Sequence, residues 1–316
     1  MVTRRLSDNE LLIIQKVERR EITPSDAIRY IYGREQYTYD INSLEIAEAK
    51  KELFSLIGLE NIKKLVEELQ AYINIQQRRK MEGMAHDAMT LHMIFKGNPG
   101  TGKTIVARLL GKMLHGMGIL RVGHIIEVER ADLVGEYIGH TAQKVREQVK
   151  KASGGVLFID EAYSLARGGE RDFGKEAIDT LVKEMEDNKD DLIVILAGYK
   201  DEMDYFIRMN PGLRSRFPIQ MEFKDYTLDE LVQIAELMFA KRQYSLSLDG
   251  RNKLYLLLAK KRSNDDQRLG NARLVRNLVE NAIRKQAVRL HKQSRISKND
   301  LIIIRKEDIE EVDMWS

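Results

Sequence analysis

The stretch Leu91-His-Met-Ile-Phe95-Lys-Gly97-Asn98-Pro99-Gly100-Thr101-Gly102-Lys103-Thr104-Ile105 decides the fold. Its first five residues form a short apolar run stopped by a Gly-Pro-Gly cluster, the pattern of a buried strand. A helical pattern runs from Lys103 to about Met117. Between them lies G-x-x-x-x-G-K-[ST], a spacing with a definite chemistry. The glycines let the backbone curl so that its N–H groups converge on an anion, and the helix adds its positive end. This is a phosphate-binding loop. Asn98, Pro99, Gly100, Thr101, Gly102, Lys103, Thr104 and Ile105 are the expected nucleotide contacts. Lys103 would reach the β and γ phosphates, and the Thr104 hydroxyl would bind Mg2+.

A second element follows in Gly155-Val-Leu-Phe-Ile-Asp160-Glu161. Four apolar residues make a buried strand with two carboxylates at its carboxyl end, where ligands of open α/β sheets bind. Acids commonly end strands, so the loop upstream is what lends this pair its meaning. Asp160 would hold Mg2+ through its water shell. Glu161 would polarise the attacking water as general base.

Further strand-like runs occur at His124–Val128, Leu192–Ala197 and Ile219–Phe223, separated by helical segments such as Ala142–Ala152 and Lys175–Glu186. This alternation predicts an α/β fold with a parallel sheet between two helical layers, and the phosphate loop at the end of its first strand makes a P-loop NTPase the expected form. Beyond Asp225 the alternation stops. Thr227 and Asp249 are placed to cap two helices, and Asn271–His291 reads as a third, long one. Leu301–Ile304 reads as a short strand before a helical turn at Glu307–Val312. N-terminally, residues 7–50 read as polar helices. Leu53–Arg79 carries Leu65, Leu69, Tyr72, Ile73 and Ile75 near one helical stripe. The expected division is an N-terminal helical extension over 1–50, an α/β nucleotide-binding domain over 51–224 and a helical lid over 225–316.

The composition narrows the function. The 316 residues carry 52 Lys+Arg against 49 Asp+Glu, a net charge of +3. That balance argues against a nucleic-acid or membrane partner. Cysteine is absent, which removes disulfides, thiolate metal sites and a cysteine nucleophile. The six histidines show no metal-ligand spacing. The patch Leu11–Ile14 is too short for a secretory signal, and no apolar run approaches the roughly 20 residues of a membrane span. A soluble, cytoplasmic protein is expected.

Together the loop, in its Gly-x-Pro-Gly-Thr-Gly-Lys-Thr form, and Asp160-Glu161 resemble the AAA+ superfamily of ring-forming ATPases, from about Leu53 to Val312. Four stretches are similar to a narrower group, the red-type Rubisco activases and stage V sporulation K proteins. They are Gly135-Glu-Tyr-Ile-Gly-His-Thr, Asp160-Glu-Ala-Tyr-Ser-Leu, Ala197-Gly-Tyr and Asn210-Pro-Gly-Leu-Arg-Ser-Arg-Phe. The polar N-terminal helices favour the sporulation side of that group.

The resemblance implies further roles. Ile57-Gly58-Leu59 would pack against adenine. Tyr137-Ile138-Gly139 matches the first pore loop, which grips a polypeptide; the plain alternative is a core tyrosine on a turn. Arg167–Gly174 matches a second pore loop, or simply a surface loop. Arg216, and after it Arg214, lies where an arginine finger reaches the γ-phosphate of the next subunit. Arg273 in Gly270-Asn-Ala-Arg273 matches the second sensor, with Arg276 behind it. Tyr199 stands where most of the superfamily carries a polar first sensor, often Asn. It is either a sensor or a packing or pore-facing residue, since a phenol can donate one hydrogen bond but cannot supply the carbonyl and amine of Asn.

These roles imply an Mg2+-dependent ATPase. The expected assembly is a homo-oligomer, most simply a hexamer, since a heterologous contact closes as a ring. Its work would be pulling on a protein client through the pore, as in sporulation. An ATP-gated scaffold whose output is partner binding is the alternative. A DNA motor is a third reading, against which the near-neutral charge counts.

Overall fold

The computed structural model describes residues 36–84, 90–137, 139–167, 172–263 and 270–311. The helices expected before residue 36 lie outside them. Five strands form one parallel sheet: β1 (Met93–Gly97), β2 (Ile125–Val128), β3 (Gly155–Ile159), β4 (Leu192–Gly198) and β5 (Ile219–Phe223), in the order β2-β3-β4-β1-β5. Register is regular, with Phe95 opposite Ala197 on one side and Met221 on the other.

Side-chain alternation builds two cores. Met93, Phe95, Val156, Phe158, Ile193 and Ile195 face one. Ile94, Leu157, Ile159, Leu192, Val194 and Leu196 face the other. Both faces are therefore covered, and the central strands read as continuous apolar runs. The edge strand β5 differs from these. It alternates buried Ile219, Met221 and Phe223 with exposed Gln220 and Glu222, as suits an edge strand.

Two helices precede the sheet, α1 (Gln36–Ser55) and α2 (Glu60–Met81); α3 (Lys103–Gly116) follows β1. The expected stripe from Leu53 to Arg79 is corrected. The chain turns at Gly58 and Leu59, both in the left-handed region (φ 63° and 62°), so Leu53 belongs to α1. The buried face of α2 is Ile62, Val66, Leu69 and Ile73, while Tyr72 and Ile75 are exposed. Steps of four, three and four keep that set on one face; positions 72 and 75 rotate off it. The boundary expected at residue 50 falls inside α1, whose Ala49 and Leu53 are buried in the first core.

The second core is covered by α5 (His140–Ala152), α6 (Gly174–Asp187) and α7 (Lys200–Met209). The short helices α4 (Arg130–Leu133) and α8 (Pro211–Arg214) sit in the connections.

After β5 come the helices α9 (Leu228–Ala240), α10 (Leu248–Ser263), α11 (Asn271–His291) and α12 (Lys298–Ile302). Thr227 caps α9 in a capping box: its hydroxyl accepts from Glu230 N at 3.2 Å, and Glu230 accepts from Thr227 N at 2.7 Å. For α10 the cap is Ser247, accepting from Gly250 N at 3.1 Å, and Asp249 sits inside the first turn. The expected strand Leu301–Ile304 shrinks to Ile303–Ile304, paired in parallel with Ser245–Leu246, because Leu301 and Ile302 finish α12. A 3-10 turn, Lys306–Asp308, replaces the expected helical turn. Arg289 fastens it by two 2.8 Å bonds to Asp308.

Candidate nucleotide site

The loop between β1 and α3 has the geometry an anion cradle needs. Gly97, Gly100 and Gly102 have φ of 155°, 73° and 100°. A Cβ on Gly97 would lie 2.3 Å from the Phe223 carbonyl, and one on Gly100 would lie 2.3 Å from the Gly270 carbonyl. Neither position admits a side chain. Lys103 folds over the loop, donating to the carbonyls of Gly97 (2.7 Å) and Asn98 (2.9 Å). Burial lowers its pKa; Asp160 opposes that shift most strongly, and Arg273 adds to it. Lys103 thus stands within electrostatic reach of Asp160, Glu161, Asp225 and Arg273 together. Thr104 is half-buried in the first turn of α3, and Ile105 is exposed beside it. The donor set suits a triphosphate: converging amides, one lysine and the end of a 14-residue helix.

Asp160 and Glu161 leave the carboxyl end of β3, with β4 lying between that strand and the loop strand β1. Glu161 has φ 46°, unusual for a residue with a side chain, and its backbone carbonyl accepts from Ser164 N at 2.7 Å. Its own N–H donates to Asp160 Oδ1 at 3.0 Å. Among the described residues no three His, Cys, Asp or Glu side chains cluster as metal ligands. Mg2+ typically keeps waters and substrate phosphates among its ligands, with only one or two protein oxygens. Thr104 and Asp160 fit that limited role.

Tyr199 follows β4 directly, at the strand end between loop and acids. Its ring lies 6.0 Å from that of Tyr163, and it packs on the second core. Gly198 makes room: a Cβ there would come within 2.7 Å of the Tyr163 ring. Burial, and then the nearby Glu161 charge, raise the Tyr163 pKa.

The lid closes on the loop from the other side. Ala272 N donates to Gly100 O at 3.1 Å, and Tyr226 Oη donates to Thr101 O at 3.2 Å. Burial raises the Tyr226 pKa to about 12. Gly58 lies against Tyr226 and Glu230, and Leu59 against Gly102, so the segment expected beside adenine does border the loop. Arg273 is exposed in the first turn of α11, and Arg276 is exposed one turn on. Sequence reasoning missed Asp225, Tyr226 and Asn271. The signal was an Asn at a helix start beside Gly270, but its partner Asp225 stands 46 residues away.

Elsewhere, Arg216 bonds Glu186 of its own chain, and Arg214 is exposed in α8. Tyr137 is 65% exposed, which excludes the core reading, and its ring meets His140 edge-on at 5.5 Å. Gly139 begins α5 with φ 85°. Ile138 lies outside the described residues, as do positions 168–171 of the expected second pore loop. Arg130 clamps the end of that loop, donating to Asp172 at 2.6 and 2.7 Å.

A five-stranded parallel sheet, a glycine phosphate loop with its lysine, and a strand-end acid pair define a P-loop NTPase carrying a helical lid. The chain belongs to the AAA+ ATPases: residues 93–225 match the ATPase family associated with various cellular activities (AAA), and residues 227–314 match the AAA lid domain. It is 53% identical to stage V sporulation protein K of Bacillus subtilis over 84% of this chain and 82% of that protein. It is 44% identical to the chloroplastic ribulose bisphosphate carboxylase/oxygenase activase of Cyanidioschyzon merolae, over 80% of this chain and 87% of that one. Among solved structures, the FIGL-1 AAA domain superposes with a TM-score of 0.53 at 16% identity, covering 80% and 79% of the two chains, a likeness of fold.

Proposed function

We propose that this chain is an Mg2+-dependent ATPase that assembles into a ring, most simply a hexamer, and pulls on a protein client through the central pore. The observation that carries the reading is the glycine loop with Lys103 folded across it onto Gly97 and Asn98, at the same carboxyl end of the parallel sheet as the Asp160–Glu161 pair. In this reading Lys103 and the loop amides bind the phosphates, and Glu161 takes the proton of the attacking water. Thr104 and Asp160 hold Mg2+, which when bound offsets the charge on the phosphate oxygens. Tyr199 orients the water or phosphate. Arg216, with Arg214 as second choice, completes the site of the neighbouring subunit, and Arg273 ties the lid to the γ-phosphate.

The exposed Tyr137 supports a protein client, since an aromatic kept out of the core on a loop suits gripping a polypeptide. The near-neutral charge supports the same choice over nucleic acid. The relatives' names add a setting: sporulation on one side, a Rubisco-directed activase on the other. Among the described residues no helix is long and apolar enough to cross a membrane, in keeping with work in the cytoplasm. Residues 51–224 would carry the nucleotide and 225–316 the lid.

Two variants test this. Glu161→Gln should bind ATP, hydrolyse it at least about a hundredfold more slowly, and retain client proteins in an ATP-dependent pull-down. Tyr137→Ala should keep its ATPase rate and lose client retention in the Glu161→Gln background. Retention that survives the loss of Tyr137 would favour the scaffold reading.

A further inference from the structure

The phosphate loop has two sides, and the lid holds the second one. Three consecutive loop carbonyls accept from the lid and its hinge: Pro99 from Asn271 Nδ2 (3.4 Å), Gly100 from Ala272 N (3.1 Å) and Thr101 from Tyr226 Oη (3.2 Å). Asn271 is the hub of this contact. It is 1% exposed and sits in the left-handed region at φ 43°. Asn tolerates that conformation better than other residues with a side chain. Its Oδ1 accepts from Tyr226 N at 3.0 Å, and its Nδ2 donates to Asp225 Oδ1 at 2.8 Å. Asp225 in turn accepts from Asn98 Nδ2 at 3.0 and 2.9 Å. One amide therefore joins the loop, the residues that follow β5, and the first turn of α11.

We propose that Asn271, working with Asp225, is a positioning residue that latches the lid to the back of the phosphate loop, so that the nucleotide state of the loop sets the placement of Arg273. The mechanism follows from peptide planarity. The carbonyls of Pro99, Gly100 and Thr101 share their planes with the N–H groups of Gly100, Thr101 and Gly102. A phosphate that draws those N–H groups inward must tilt the carbonyls on the lid side. The contact is too close to absorb the tilt, because a Cβ on Gly100 would already lie 2.9 Å from Arg273 N. Arg273 stands two residues past the hub, so it moves with the loop. The latch rests on the nucleotide site proposed above and adds to it the part that carries the signal to the lid.

The test uses the full chain and N-methylanthraniloyl-ATP as the probe, with affinity, kcat and KM for ATP, and Tm recorded for each variant at pH 8. Asn271→Gly leaves the left-handed backbone unstrained and removes only the amide. It should weaken probe binding and lower kcat, each by about five- to tenfold, matching the loss of coupled hydrogen bonds. Asn271→Asp sets a second carboxylate against Asp225 and should lose at least as much. Adding Asp225→Asn to Asn271→Asp restores the 225–271 donor–acceptor pair with the roles exchanged, though not the donation to Pro99 O, and should recover both readouts in part, by about threefold over Asn271→Asp. A merely structural role would show as Tm losses that track the losses in affinity and kcat, whereas the latch lowers affinity and kcat at temperatures well below the Tm of each variant. Asn271→Gly that binds and turns over like the unsubstituted protein overturns the latch, as does a double variant no better than Asn271→Asp. Lys103→Ala separates the two levels. Retained probe binding there would remove the nucleotide site itself, whereas lost binding there alongside an unaffected Asn271→Gly removes only the latch.

Discussion

Arg216 is bound to Glu186 of its own chain, Nε to Oε1 at 3.1 Å, while its Nη1 donates to the carbonyl of Gly212 at 2.9 Å. The Arg216 side chain is 31% exposed and that of Glu186 60%, so this is a surface pair. Such a pair is worth about 0–1 kcal/mol. An arginine acting on a neighbour's γ-phosphate can give it up at little cost.

Two substitutions should therefore diverge. Arg216→Ala should bind ATP normally and hydrolyse it on the order of a thousandfold more slowly, as the loss of a γ-phosphate arginine does. Glu186→Ala should keep turnover within about threefold. Steady-state ATPase assays with parallel binding measurements check both. Equal losses in the two variants would make the pair structural.

Lys103 is the cation of the loop, and burial already disfavours its charged form while Asp160 supports it. Lys103→Ala should lower the affinity for a fluorescent ATP analogue by a factor of about 100 or more, the scale of a lost charge-assisted contact to phosphate. Unchanged affinity in a titration would refute the loop assignment.

Tyr199 stands at the end of the strand between loop and acids, with its ring against Tyr163. Tyr199→Phe keeps that ring and removes the hydroxyl. If the phenol orients water or phosphate, kcat at saturating ATP falls about tenfold with KM little changed. An unchanged kcat would leave Tyr199 a packing residue.

His92 offers a prediction about stability. It is 4% exposed, its Nδ1 accepts from Val194 N at 3.0 Å, and burial lowers its pKa to about 4. The unfolded chain takes up this proton near pH 6.5 and the folded chain only near 4. Between those values the unfolded state binds more protons, so stability falls as the pH drops. Above pH 6.5 the contribution is complete. By pH 5 the loss should be on the order of 1–2 kcal/mol, at roughly 1.4 kcal/mol per pH unit. Urea melts at pH 7 and pH 5 would show it. His92→Gln, which does not titrate there, should be less stable at pH 7 but lose less on acidification.

Much of this protein is legible in its chain order. The phosphate loop could be read because neighbouring residues do its chemistry: glycines that bend, amides that converge, a lysine one residue beyond. The Thr227 cap was readable for the same reason, and the Glu230 that completes its capping box in the structure stands only three residues on. The α2 stripe was misread because Tyr72 and Ile75 are apolar neighbours of the buried Leu69 and Ile73 yet rotate off their face, and helical spacing alone did not reveal the turn at Gly58 and Leu59 that puts Leu53 in α1.

The tertiary structure alone decided which strands are neighbours, and so that Tyr199 emerges between the loop and the acids. Alternation tells which face of a strand is buried but not which other strand lies beside it. It also decided that Asn271 meets Asp225 and the back of the loop, and that Arg216 rests on Glu186. Those partners are joined by packing and hydrogen bonds across 46 and 30 residues of chain, separations at which local spacing carries no information.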